Sequence, residues 1–176
     1  MDRRINLVAH ADDRPVLAID LGGTQIRAAL VTPDRTVHCR RSTDTRDEDG
    51  VESVIARIAA TAADVLTEAS ESGLPRPVGA GISSPGPLDA RRGIVLSPPN
   101  LRQWNDVPLV EALAAELDLP CYLERDTNVA VMAEWRYGAA RGTRDAVYVT
   151  VSTGIGGGII SDGRPLGGRD GLAGEV

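Results

Sequence analysis

The sequence predicts an α/β fold, a mixed sheet flanked by helices, and three observations predict it. Apolar strand-length runs alternate with helical stretches in the order β-β-β-α-β-α and then β-α-β-β. Twice an apolar strand breaks at a glycine-rich turn and returns as a second strand, in "AIDLGGTQIRAAL" and in "YVTVSTGIGGGII". The second series begins near residue 119. We therefore expect a flexible tail over 1–14, an N-terminal α/β domain over 15–118, and the beginning of a second, similar domain over 119–176.

Each element has its own warrant. Residues 16–21 are continuously apolar except for Asp20, the pattern of a strand buried on both faces. Residues 25–31 alternate, with Ile26, Ala28 and Leu30 against Gln25, Arg27 and Ala29, as a half-buried strand does. Residues 36–41 supply a third strand after a turn at Pro33 and Asp34, and "RSTDTRDEDG" is a polar loop. From 51 to 70, Val51, Val54, Ile55, Ile58, Ala62, Val65 and Leu66 share one helical stripe, which Gly73 and Pro75 bring to an end. Strands follow at 78–82 and 94–96, then "SPPNLRQWNDVP", an irregular segment with few structural reasons to exist. Residues 109–117 form a second amphipathic helix with Asp106 as its cap. A strand at 121–123 opens the second unit, and Asp126 or Thr127 caps a helix that runs to Tyr137 and stops at Gly138. Residues 146–151 alternate as a strand, 159–160 resume it, and the rest is glycine-rich loop.

Composition narrows the function. At 176 residues the chain can bury roughly 70% of its unfolded surface without a disulfide or metal staple. A net charge of −6 with no basic stripe argues against nucleic acid as a partner. All 19 basic residues are arginine and none is lysine. That excludes a Walker A loop and a protein-kinase ATP site as usually built, since both place a lysine on the phosphates. Cys39 and Cys121 fit no zinc spacing and read as buried apolar thiols in a reducing compartment. No run approaches a membrane span, and "MDRRINLVAHADDR" lacks a signal-peptide core, so a cytoplasmic protein is expected.

The glycine breaks carry the chemistry. Either one alone reads as a tight hairpin. Together they suggest two jaws around a polyphosphate, because glycine lets backbone N–H groups approach an anion, with Thr24, Ser152 and Thr153 adding hydroxyl donors. Neither break matches the dinucleotide fingerprint. Asp20 ends a buried strand where open α/β sheets bind ligands; it either meets a nucleotide's magnesium or caps the Gly-Gly amides. Phosphoryl transfer to a hydroxyl needs a base, and neither His10 in the tail nor His38 on a distant strand qualifies. Asp126, at a strand-to-helix junction, is the candidate base, its bland alternative being an N-cap. Asn100, Asn105 and Asp106 could bind a polyol or simply form turns.

The blocks "DLGGTQIRAAL", "GISSPGPLD", "PPNLRQWNDVPL", "ERDTNVAVMAEW", "VTVSTGIGGGII" and "GLAGEV", in this order, resemble the ROK family (repressors, open reading frames and sugar kinases), whose fold is that of the actin-like ATPases, a ribonuclease H-like domain repeated. The resemblance runs from about residue 16 to the last residue. It implies an ATP-dependent hexose kinase, glucokinase-like and acting on the 6-OH. Asp126 would be the general base, and Gly86, Asn100, Arg125, Asp126 and Glu175 would line the sugar site. Gly22, Gly23, Thr24, Thr153, Gly154, Gly156 and Gly157 would hold the ATP phosphates, and Asp20 would hold Mg2+ through water. Arg125 is a departure, because family kinases usually have Asn there, itself a sugar contact.

The family's block around Glu175 continues into Gly-His and, in many members, a Cys-rich zinc site. We therefore expect this chain to be an N-terminal portion, inactive alone, with structural zinc belonging only to what would follow. A homo-oligomer is the expected assembly. The second reading is the sugar-sensing domain of a ROK-type regulator. The 15 residues ahead of Val16 are too few for that family's winged helix-turn-helix, which favours the kinase.

Overall fold

The computed structural model describes residues 13–151, 154–169 and 171–175. Its main sheet has five strands, β1 (Val16–Leu21), β2 (Gln25–Val31), β3 (Val37–Asp44), β4 (Ala80–Ser84) and β7 (Cys121–Arg125), in the order β3-β2-β1-β4-β7. Strands β1 to β3 form an antiparallel meander, whereas β4 and β7 run parallel to β1. The sheet is mixed because the first three strands join through short turns while β4 and β7 arrive through helical crossovers.

Alternation decides which face is covered. Leu17, Ile19 and Leu21 of β1 and Ile26, Ala28 and Leu30 of β2 point to one side and are buried there. Helix α1 (Val51–Glu71) lies on that side, placing Val54, Ile58, Ala62, Val65 and Ala69 at 3.6-residue spacing against the sheet. Helix α2 (Leu109–Leu117) adds Leu109, Leu113 and Leu117. The expectation of a first strand buried on both faces is corrected here: the opposite face stays open, with Val16, Val37 and Tyr122 exposed on it.

Local chemistry accounts for the breaks. Helix α1 closes in a Schellman arrangement, Gly73 at φ +74 donating to the Ser70 carbonyl and Leu74 to that of Ala69. A bulge in β3 shifts its register against β2, with Cys39 in the left-handed region at φ +53, half-buried rather than buried. Asp106 does not cap α2. Pro108 takes that position with no side-chain bond, and Asp106 turns the chain at φ +53.

Two expectations change more substantially. The irregular segment after residue 96 is part of the core, burying Leu101, Trp104 and Val107. It is tied down on one side by the Val95–Val107 bridge and on the other by hydrogen bonds to Asp47 and Glu48. The strand expected to open a second unit instead completes the first sheet, with Cys121–Arg125 in register beside Ala80–Ser84. The change of sheet comes after Arg125, not near residue 119, because the apolar alternation of Cys121 and Leu123 fits the face already covered by α2.

Past that point, α3 (Asp126–Tyr137) lies on a second sheet of β8 (Ala146–Val151), β9 (Ile155–Ser161) and β10 (Arg164–Pro165), ordered β10-β9-β8. Strand β9 is longer than the two residues expected. A small hairpin of β5 (Leu88–Asp89) and β6 (Ile94–Val95) precedes the buried loop.

Candidate active site

Parallel pairing brings the carboxyl ends of β1, β4 and β7 to one edge. Asp20 lies opposite Ser83, Ser83 opposite Glu124, and Ser84 opposite Arg125. With strands about 4.8 Å apart, the ends of β1 and β7 are about 10 Å apart. Asp20 lies at the end of β1 on that edge, and Asp126 directly follows β7.

The first glycine turn leaves β1 directly after Asp20. Gly22 N–H donates to the Gln25 carbonyl at 2.9 Å and closes it. Thr45, fully buried, holds it from behind: its hydroxyl donates to the Gly22 carbonyl at 2.6 Å, and its N–H donates to the Thr24 carbonyl at 2.8 Å. Thr24 remains exposed at the tip. Gly23 is glycine for space, since a Cβ there would lie 2.8 Å from Asn100 Cβ. A residue expected on phosphate and one expected on sugar therefore touch. The Asp20 carboxylate accepts from Arg27 Nη1 at 3.1 Å, across the register pair the two residues form. Both groups are nearly half exposed, so the pair is weak and open to exchange for another cation.

The second glycine turn joins β8 to β9. Gly154 lies in the turn with open space around its Cα. Ser152 and Thr153, expected as hydroxyl donors, lie outside the described residues. Gly156 and Gly157, expected in the loop, are instead within β9, where small size serves packing. A Cβ on Gly156 would meet Thr127 Cγ2 at 3.2 Å, and one on Gly157 would meet the Gly174 carbonyl at 3.0 Å. Gly158 is tighter still, with Thr127 O only 2.3 Å from its would-be Cβ. Sequence reasoning missed Gly158 and Thr45. The run of three glycines was a usable signal for the first, and nothing local marked the second.

Asp126 is the first residue of α3, with Arg125 as the N-cap position. Asp126 therefore does not cap the helix, although its Oδ1 accepts the Thr127 N–H at 2.7 Å. Its pKa is raised above the ordinary carboxylate value, first by partial burial and then by the negative charges of Glu175 and Asp20. The Thr127 N–H and the Arg125 charge pull it back down. A carboxylate made more basic while flanked by two others is suited to accepting a proton.

Glu175 is brought in by a bridge between its backbone and Gly156. Its Oε1 accepts from Arg125 Nη1 at 2.5 Å and would lie 3.3 Å from a Cβ at Gly86. Arg125 Cδ lies 3.0 Å from that same point, so Gly86, Arg125 and Glu175 form one packed cluster. Arg125 itself is corrected as a direct contact. It is 0% exposed, with its guanidinium turned onto protein acceptors.

A nucleotide-borne magnesium ion fits the donor set in one respect. Asp20 is a hard carboxylate beside the Gly22–Thr24 turn, and such an ion needs only one or two carboxylates. Among the described residues no cluster of three or more His, Cys, Asp or Glu could cage a metal, and no helix is long and apolar enough to cross a membrane.

Comparison with known proteins places this geometry. The ROK family model matches residues 16–176. The glucokinase of Thermotoga maritima is 40% identical over 161 residues, covering 92% of this chain and 49% of that protein. A ROK family glucokinase from Streptomyces griseus, solved in complex with glucose and AMPPNP, superposes with a TM-score of 0.80 at 32% identity, over 92% of this chain and 49% of that one. A ROK family transcriptional regulator, a homologue of the E. coli MLC protein, superposes at 0.81 with 26% identity, over 93% of this chain and 40% of that one. The chain spans about half the length of the curated relatives it matches. With the fold, the glycine turns and the family match in agreement along its length, the chain belongs to the ROK family.

Proposed function

We propose that this chain carries the sugar-binding and phosphate-binding half of an ATP-dependent hexose kinase, with glucose as the acceptor and its 6-OH as the site of transfer. The observation that carries the reading is the position of Asp126 at the start of α3, directly after β7, with Glu175 and Asp20 near enough for their charges to raise its pKa. The similarity to kinases of the family supports it.

In this reading Asp126 accepts the proton of the attacking hydroxyl, its raised pKa strengthening it as a base. Gly86, Asn100 and Glu175 bind and orient the sugar. The Gly22–Thr24 turn and the β8–β9 turn with Gly154 offer backbone donors to the phosphates; Gly156 and Gly157 support the second turn from within β9. Asp20 would hold the nucleotide's Mg2+ through water, an ion that when bound neutralises phosphate charge. ATP as donor puts the reaction in the cytoplasm, and the assembly we expect is a homo-oligomer.

The test is turnover of the full protein in a coupled assay with glucose and ATP. Asp126→Asn should lower kcat by about 10²- to 10⁴-fold with glucose binding retained. Unchanged turnover would sink the assignment of the base. The high superposition on a regulator keeps a second reading, a sugar-sensing domain. Glucose binding without any phosphorylation by the unsubstituted full protein would favour it.

A further inference from the structure

Arg125 has no task in the reaction above, yet it is the largest fully buried side chain described. A guanidinium removed from water is costly unless its donors find acceptors. Here Nη1 and Nη2 find three, on two separate pieces of chain, while Nε has no partner among the described residues. Nη1 donates to Glu175 Oε1 at 2.5 Å, Nη2 donates to the Ala173 carbonyl at 2.5 Å, and Nη2 also donates to Asn128 Oδ1 at 3.1 Å.

Asn128 is in turn held by Glu124, whose Oε1 accepts from Asn128 Nδ2 and from the Arg125 N–H, each at 2.9 Å. The arginine stem lies against Gly86, where any Cβ would press on Cδ. Its position is therefore set by β7, α3 and the end of β4 before Glu175 is considered. Glu175, by contrast, belongs to an exposed glycine-rich segment whose main chain is anchored at the Gly156 bridge. The rigid partner is the arginine, and the adjustable one is the glutamate.

We propose that Arg125 is a positioning residue: it clamps the 173–175 segment onto the start of α3 and fixes one oxygen of Glu175, so that the other is presented to a sugar hydroxyl. This rests on the sugar-kinase reading above. An acceptor ordered in advance lowers the ordering cost of binding, so the clamp acts on sugar affinity rather than on the phosphoryl step. Lysine does not replace it, because one ammonium cannot reach the carboxylate and the carbonyl in the forked geometry of a guanidinium.

The experiment is steady-state kinetics of the full protein with Arg125→Met and Arg125→Lys, each alone and combined with Glu175→Gln. Arg125→Met should raise the KM for sugar at least tenfold while kcat and the KM for ATP stay within twofold. Arg125→Lys should fall between it and the parent. In the Glu175→Gln background either substitution should add less than twofold, because the carboxylate it positions is gone. An unchanged KM, or an equal rise in both backgrounds, overturns the clamp. The lysine variant keeps the buried charge and carries the comparison if the methionine variant does not fold.

Amide exchange separates this proposal from the reading it rests on. The Ala173 and Glu175 amides, which donate to Gly167 and Leu172 carbonyls, should exchange faster in the variants. Unchanged exchange overturns the clamp alone; failure of the unsubstituted protein to phosphorylate any hexose overturns the kinase reading alone.

Discussion

The hydroxyl of Thr45 donates to the Gly22 carbonyl at 2.6 Å, joining the end of β3 to the glycine turn 23 residues earlier. Thr45 is fully buried, and its own carbonyl accepts from Arg57 of α1. The turn expected to hold phosphate is thus mounted on the core helix. Thr45→Val keeps the shape and removes the donor, leaving a part-buried carbonyl unpaired. It should cost about 1–3 kcal/mol in thermal or denaturant unfolding. In the full protein it should raise the KM for ATP more than the KM for sugar.

Glycines at the second turn and in the strand it enters should separate into two classes. Gly158→Ala would drive a Cβ to 2.3 Å from the Thr127 carbonyl oxygen, so α3 must shift or the strand must bend. A loss of about 1–3 kcal/mol is expected, as for other overpacked sites, with turnover impaired because Asp126 moves with the helix. Gly154→Ala meets nothing within 4 Å and should leave the melting temperature unchanged. Calorimetry on both variants checks the contrast.

Asp126 should give the activity an acid limb above its ordinary 3.8, since burial and neighbouring carboxylates raise its pKa. The base works only when ionised, so kcat/KM falls as pH drops through that raised value. The stability effect has the opposite direction. A carboxyl whose folded pKa is raised favours the protonated form, so its contribution is fully present below the unfolded pKa and is lost as pH rises through the folded one. Asp126→Asn should therefore raise the melting temperature at neutral pH, and the gain should vanish below the unfolded pKa. Melting curves at pH 7 and pH 3 measure it.

Asp20 and Arg27 form a pair near half exposure, so neither should matter much to folding. Asp20→Asn and Arg27→Met should each change stability by less than about 1 kcal/mol. Their kinetics should differ. Loss of Asp20 should lower turnover and weaken its magnesium dependence, while loss of Arg27 frees the carboxylate and should not. A magnesium titration of turnover in both variants distinguishes them.

The sequence by itself determined the strand and helix periods, the ends of α1 and the two glycine turns. These depend on spacing and on residues such as Gly73, whose φ of +74 is a local requirement. It also singled out Asp20, a charge at the end of a strand beside a glycine turn, and Asp126, a candidate base at a strand-to-helix junction, whereas Glu175 came only from the family resemblance. Three matters were decided only by the tertiary structure. Residues 121–125 joined the first sheet because their apolar alternation matched a face already covered by α2, a pairing across sequence that no period reveals. The loop holding Leu101 and Trp104 became core because Asp47 and Glu48, some 55 positions away, supply its hydrogen bonds. Arg125 passed from expected sugar contact to buried clamp because its acceptors, Ala173 and Glu175, lie 48 and 50 residues downstream. Local propensity fixes what each segment is; which segments can satisfy a buried guanidinium or cover an apolar face depends on what the fold brings beside them.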